Sequence, residues 1–249
     1  MYLFGARGRG GGFLSRHFAA TVEDGFDTPP CWDQNIKKCD CPEMDATDAK
    51  KLVATGYDEI VDTYLRQFGH SAVRARKLAE LELGLSPQAR VLDLGCGAGL
   101  PVARDLIARG YRVIGVDASA RQIEQARRNV PDAQFILSDM TAVEFPPSSF
   151  EAVAAFYSII HVPRDEHATL LGRIADWLNS RGRFLGTFGT TALDTWTGEW
   201  LGTTMFFSHH DSEVTKRLFA DAGLLIERAE VLQQDDEDAR FLWITARKL

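Results

Sequence analysis

One run of this chain limits its fold more than any other: Val91-Leu92-Asp93-Leu94-Gly95-Cys96-Gly97-Ala98-Gly99. An apolar strand runs into a glycine-rich turn and then into a helical pattern from Val102. Glycine takes positive φ without strain and lets a ligand approach the backbone closely. Three glycines at alternate positions exceed what a bare strand-to-helix turn requires. Short β-like runs and helical segments then alternate. Strands are expected at Arg90–Leu94, Tyr111–Val116, Gln134–Leu137, Ala152–Phe156 and Arg183–Phe188, with helices at Val102–Arg109, Ser119–Asn129 and Arg164–Asn179. That alternation implies βαβ units and a parallel sheet with helices on both faces. Ligands bind such sheets at the carboxyl ends of the strands.

Upstream, Leu52, Ile60, Tyr64 and Phe68 fit one helical stripe, and Ala72–Leu83 fits a second helix stopped by Gly84 and Pro87. Downstream of Phe188 a Thr-, Gly- and Trp-rich stretch reaches about His210, followed by a helix over Asp211–Ala222. Strand runs at Leu224–Leu232 and Phe241–Ala246, joined by the acidic turn Gln233–Ala239, suggest a terminal hairpin. The expected organisation is an extension over 1–47 and one domain over 48–249 with an insertion at 190–210.

The dinucleotide fingerprint is G-x-G-x-x-G, whereas this loop reads G-x-G-x-G with Leu100 where the third glycine belongs. Asp93, two residues before the first glycine, would repel a pyrophosphate and attract a cation. S-adenosylmethionine carries a sulfonium and an ammonium and no phosphate. Asp117, 22 residues after Gly95, ends the second strand and is placed to accept from both ribose hydroxyls; its alternative is a helix N-cap. Asp139 ends the third strand, placed for the adenine amine while Met140 packs on the ring; its alternative is a loop cap.

The motifs VLDLGCGAG (91–99), VIGVDAS (113–119), FILSDM (135–140), FEAVAAFYSIIHV (150–162) and RGRFLGTFG (181–189) resemble the class I S-adenosylmethionine-dependent methyltransferases, over about 52–249. The likeness is to a bacterial-type small-molecule branch. It implies a Rossmann-like, doubly wound α/β fold with seven strands in order 3-2-1-4-5-7-6, the last antiparallel. It implies a donor site from Asp93, Gly95, Cys96, Gly97, Asp117, Ala118, Gln122, Asp139, Met140 and Phe156.

On the acceptor side the candidate catalytic residues are Tyr157 and His161, after the fourth strand. Histidine suits a general base because its ordinary pKa lies near neutrality; a packed or helix-capping histidine is the other reading. Trp196, Trp200, Phe206, Phe207, His209 and His210 fall in the 190–210 segment, which reads as a lid over the acceptor or as a subunit contact. Tyr57, Tyr64, Trp200, Phe206 and His209 are the candidate acceptor contacts. No metal is expected, since adjacent histidines supply too few ligands. Ala155-Phe156-Tyr157-Ser158 stands where the family's Asn/Asp-Pro-Pro-Tyr/Phe run serves amino groups on bases or glutamine.

A formal charge of −7 disfavours a nucleic-acid surface. No apolar run approaches a membrane span. The expected partner is a small-molecule acceptor, the expected state a monomer or homodimer, and the expected location cytoplasmic. An organellar location stays open, because Arg7, Arg9, Arg16 and His17 precede the first acid, Glu23. Cys31, Cys39 and Cys41 lack metal spacing. Two other functions remain: an enzyme of this fold with different chemistry, such as a cyclase or carboxymethyl-type transferase, and a non-catalytic donor-binding protein.

Overall fold

A computed structural model describes residues 44–234 and 239–249. The transit-like segment and Cys31, Cys39 and Cys41 lie outside these residues. The first helix starts earlier than expected, because the Asp45 carboxylate accepts from the Asp48 N–H and caps α1 (Ala46–Glu59). The single stripe expected over Leu52–Phe68 is two helices. The chain leaves helical geometry at Ile60, with φ −106° and ψ 13°, and α2 (Val61–Phe68) follows. Ser71 caps α3 (Ala72–Glu82) in the same manner as Asp45 caps α1.

The α/β alternation then runs as expected, with boundaries moved by a few residues: β1 (Arg90–Leu94), α4 (Val102–Ala108), β2 (Arg112–Asp117), α5 (Ala120–Asn129), β3 (Gln134–Leu137), β4 (Phe150–Ala155), α6 (His167–Trp177) and β5 (Leu178–Phe188). The 190–210 insertion, to which the sequence pattern assigns no secondary structure, is an antiparallel hairpin, β6 (Leu193–Trp200) and β7 (Thr203–His209), turned by Leu201 and Gly202 at φ 53° and 84°. After it come α7 (Ser212–Asp221), β8 (Leu224–Gln233) and β9 (Arg240–Lys248).

The main sheet has the order β3-β2-β1-β4-β5-β9-β8, with β9 antiparallel to both neighbours. Leaving out the β6–β7 hairpin, this is the expected 3-2-1-4-5-7-6. Strand alternation sorts the core. Val91 packs on one face with Leu78 and Leu81 of α3, Ala103 and Leu106 of α4 and Ile123 of α5. Leu92 and Leu94 pack on the other with Leu170 and Ile174 of α6 and Phe219 of α7. Because strand side chains alternate, Asp93 shares the Val91 face. Its Cα pairs with Gly115 on β2 and Ala154 on β4, the centre of the sheet. α1 lies on β7, where Gly56 comes so close that a Cβ would stand 2.9 Å from Met205 Cε. α1, α2 and the hairpin thus roof the open end of the sheet. No described helix is long and apolar enough to cross a membrane.

Candidate active site

The loops after β1, β2, β3 and β4 end at one edge and enclose a cleft of ≈ 710 Å³ under α1 and α2. Gly95 and Gly97 form one wall, Asp117, Ala118 and Gln122 the second, and Ser138, Asp139 and Met140 the third. Phe156, Tyr157, Ser158 and His161 lie opposite, with Lys50, Val53, Tyr57 and Tyr64 above.

The glycine loop is held in a conformation few residues adopt. Gly95, Gly97 and Gly99 have φ of 74°, 52° and 75°. Asp117 pins the loop to β2: its Oδ2 accepts from the Gly97 N–H at 2.8 Å, and its Oδ1 from the Ser119 N–H at 2.9 Å. The α5 cap is Ser119, whose Oγ accepts from the Gln122 N–H at 3.1 Å. Asp117 is therefore not the cap that the alternative reading allowed. Nor is it freely exposed: it is half-buried, and burial raises its pKa against the pull of those N–H groups. Asp139 does cap its loop, accepting from Thr141 N–H and Oγ, and it also pairs with Lys50 Nζ at 3.0 Å while lining the cleft.

Two buried polar groups lack partners, and one of them lines this space. Gln122 is 1% exposed, and neither atom of its amide has a partner, although the residue lines the cleft. Asp93 is 2% exposed with Oδ2 unpartnered; burial, then repulsion from Asp117, lifts its pKa to about 7. Buried polar atoms of this kind cost about 1–3 kcal/mol unless a ligand or water satisfies them.

Tyr57 and His161 form a pair at the far end. Tyr57 Oη lies 2.9 Å from His161 Nε2, and His161 Nδ1 lies 2.8 Å from the Phe206 carbonyl. A carbonyl only accepts, so Nδ1 carries the hydrogen and Nε2 accepts from the tyrosine. Burial lowers the His161 pKa to about 4 and raises that of Tyr57 well above its usual value. The histidine is neutral at physiological pH. Beyond this pair a second, inner pocket is walled by Tyr57, Tyr64, Tyr157, Trp200, Phe207 and Arg74, among others. The Phe68 and Trp200 rings stack at 6.2 Å with planes 15° apart.

The structure brings most of the expected residues to these two spaces and leaves four of them out of both. Asp93 lines neither space: strand alternation puts it on the Val91 face, where it is buried. Cys96 is likewise turned away, its sulfur packing where a Cβ on Gly115 would fall. Phe206 is 3% exposed and lines neither pocket; only its carbonyl reaches the site, through His161. His209 packs against Gly189, its Nδ1 bonded to the Thr191 carbonyl. Period-2 alternation on β7 turns Phe207, and not Phe206, to the inner pocket. Of the hairpin's aromatic residues, Trp200 and Phe207 face the inner pocket, and Trp196 joins the core. Lys50, Ser158 and Arg74 were missed. None of the three left a signal in the sequence, although Arg74 falls with Lys77, Leu78 and Leu81 on the face of α3 that the fold buries.

A family described as a methyltransferase domain matches residues 91–182. The aklanonic acid methyltransferase DauC of Streptomyces sp. (strain C5) is 31% identical over 153 residues, covering 58% of this chain and 68% of that protein. This chain belongs to the class I S-adenosylmethionine-dependent methyltransferases. It is an enzyme of the methyl-transfer class, with S-adenosylmethionine as donor. Two further curated relatives, an uncharacterized methyltransferase of Schizosaccharomyces pombe and a sterol 24-C-methyltransferase of Gibberella zeae, are matched over 45% and 28% of their length. Among solved structures, the Burkholderia thailandensis 1,6-didemethyltoxoflavin-N1-methyltransferase, bound to 1,6-didemethyltoxoflavin and S-adenosylhomocysteine, has a TM-score of 0.68 at 18% identity, covering 84% of this chain and 93% of that one. The [4+2]-cyclase SpnF has a TM-score of 0.63 at 17% identity, covering 82% and 96%. Both share the fold, which alone does not choose a reaction.

Proposed function

We propose that this methyltransferase methylates a small, planar or aromatic molecule that enters the inner pocket and presents an ionisable hydroxyl, amine or carbon acid to Tyr57. The observation that carries this reading is the set of side chains that the two spaces share. Tyr57, Tyr64, Tyr157 and His161 line both, so an acceptor among the aromatic rings abuts whatever occupies the cleft.

In this reading Asp117 receives the donor's ribose hydroxyls, the Gln122 amide gains its missing partners from the donor, and Met140 and Asp139 flank the base. Asp93 acts from the buried Val91 face as a negative charge felt by the donor's cationic end. The donor supplies a methyl carbon already activated by its sulfonium. The protein's tasks are to align two reactants, exclude water and take a proton. The acceptor donates its hydrogen to Tyr57 Oη as Tyr57 passes its own to His161 Nε2. The acceptor–methyl bond forms, the sulfur–methyl bond breaks, and the positive charge lost at sulfur is replaced by the imidazolium. Holding that proton at pH 7 with a pKa of about 4 costs about 4 kcal/mol, so the relay runs together with methyl transfer and not before it.

Calorimetry tests the donor site directly. S-adenosylhomocysteine is expected to bind and NAD not to bind; tighter NAD binding would sink the assignment. Asp117→Ala should weaken S-adenosylhomocysteine binding by about 1.5–3 kcal/mol, the scale for hydrogen bonds to a charged group. The same substitution releases Gly97 from β2, so a modest fall in melting temperature should accompany it. Unchanged affinity would reduce Asp117 to a loop anchor.

A further inference from the structure

Arg74 is the feature the catalytic reading leaves unused. It is 6% exposed, yet among the described residues no carboxylate pairs with it. Nη1 donates to the Phe68 carbonyl at 3.0 Å and Nη2 reaches Tyr64 Oη at 3.3 Å. The guanidinium carbon sits 4.5 Å from the centre of the Tyr157 ring, and Nε is buried with no partner. Arg74 is felt by Asp93 only at longer range, as one influence that lowers the Asp93 pKa, while Tyr64 and Tyr157 raise that of Arg74 against the effect of burial. An arginine does not escape burial by losing its proton. A buried, unpaired charge costs several kcal/mol unless an anion joins it. Arg74 lines the inner pocket, and Tyr157, which it underlies, is held there by backbone at φ 56°, a conformation that costs about 1–3 kcal/mol outside glycine.

We propose that the inner pocket holds a carboxylate, or an equally compact anionic oxygen group, of a bound ligand, with Arg74 as its counter-ion. The inference rests on the methyltransferase reading for its two sources. The group belongs either to the amino-acid end of the donor, reaching past Tyr64, or to an acidic acceptor. The guanidinium fork suits a planar anion better than an ammonium does.

Calorimetry on the wild-type chain decides between them without relying on any variant. One arm compares S-adenosylhomocysteine with its analogue lacking the carboxylate. The other compares 2-naphthoate with neutral 2-naphthamide, with and without saturating S-adenosylhomocysteine. The expected result is at least a tenfold preference for the acid in one arm. A preference in the first arm assigns the donor, and in the second the acceptor. Arg74→Met should collapse that preference to within twofold, and Arg74→Lys should keep part of it; melting curves report whether each variant folds. Acid and neutral forms within twofold in both wild-type arms would overturn the proposal. So would a tenfold preference that survives in folded Arg74→Met. If the wild type binds no S-adenosylhomocysteine, the functional reading fails by itself, and the naphthoate arm without it still decides on Arg74.

Discussion

Gly95→Ala is expected to abolish measurable S-adenosylhomocysteine binding, a loss of at least 100-fold, and to destabilise the fold. Two causes act together. The residue sits at φ 74°, and an added Cβ would stand 2.2 Å from Ser158 Cβ. Ser158 has little freedom to withdraw, because its Oγ donates to the Leu94 carbonyl at 2.7 Å. Positive φ costs a non-glycine residue about 1–2 kcal/mol, and overpacking adds about 1–3 kcal/mol. For a chain of this size each kcal/mol moves the melting temperature by about 2–4 °C. Ser158→Gly in the same chain should restore part of the stability by removing the clash, but little of the binding, because the strained turn remains. Gly172→Ala is the control. It lies inside α6 with nothing within 4 Å of the added carbon, and should stabilise by about 0.5–1 kcal/mol. Full binding by Gly95→Ala would show that the glycine serves only the turn.

Tyr57→Phe and His161→Ala are each expected to lower turnover by about 10²–10⁴, the range for a positioned proton acceptor. The double variant should lose no more than either single one, since both act on one proton. Additive losses would separate the two residues and end the relay. Higher pH should partly restore His161→Ala, as an acceptor hydroxyl or thiol ionises unaided. The wild-type acid limb should lie near pH 4 and not near 6.5, because His161 stays neutral until then. Stability carries the same signature. His161 and His167 both fall from 6.5 to about 4 on burial. Their neutral forms therefore stabilise the fold fully above pH 6.5, and that stability is lost as pH falls toward 4. At about 1.4 kcal/mol per unit the loss is about 3 kcal/mol for each. Asp93 works in the opposite direction. Its pKa is raised to about 7 from 3.8, so its penalty is full above pH 7 and fades as pH falls toward 4. That offsets about one histidine. With His209 lowered in the same sense as the other histidines and Asp117 raised in the same sense as Asp93, donor-free protein should lose stability as pH falls from 6.5 to 4, and Asp93→Asn should lose more. Chemical denaturation across this range measures both.

The fold was legible because its signals are local. Val91, Leu92 and Leu94 alternate across a sheet whatever surrounds them, Gly95 is needed wherever φ is positive, and Asp117 ends a strand by its place in the pattern. The α/β order, the terminal hairpin and the cleft-lining Gly95, Gly97, Asp117, Asp139 and Met140 follow from that periodicity. The sense in which side chains turn does not. Asp93 belongs to the right motif and alternation puts it on the Val91 face, but what covers that face is decided by the packing of α3, α4 and α5. Phe206 and Phe207 are adjacent aromatics, and only the register of β7 against β6 and α1 decides which one reaches the pocket. His161 was recognisable as a titratable group near the site. Its tautomer, its depressed pKa and its partner Tyr57, 104 residues away, depend on burial and on long-range packing, and no local pattern encodes them. Arg74 reads as one more charge on a helix until α2, β4 and the hairpin close around it and remove the water that would have satisfied it.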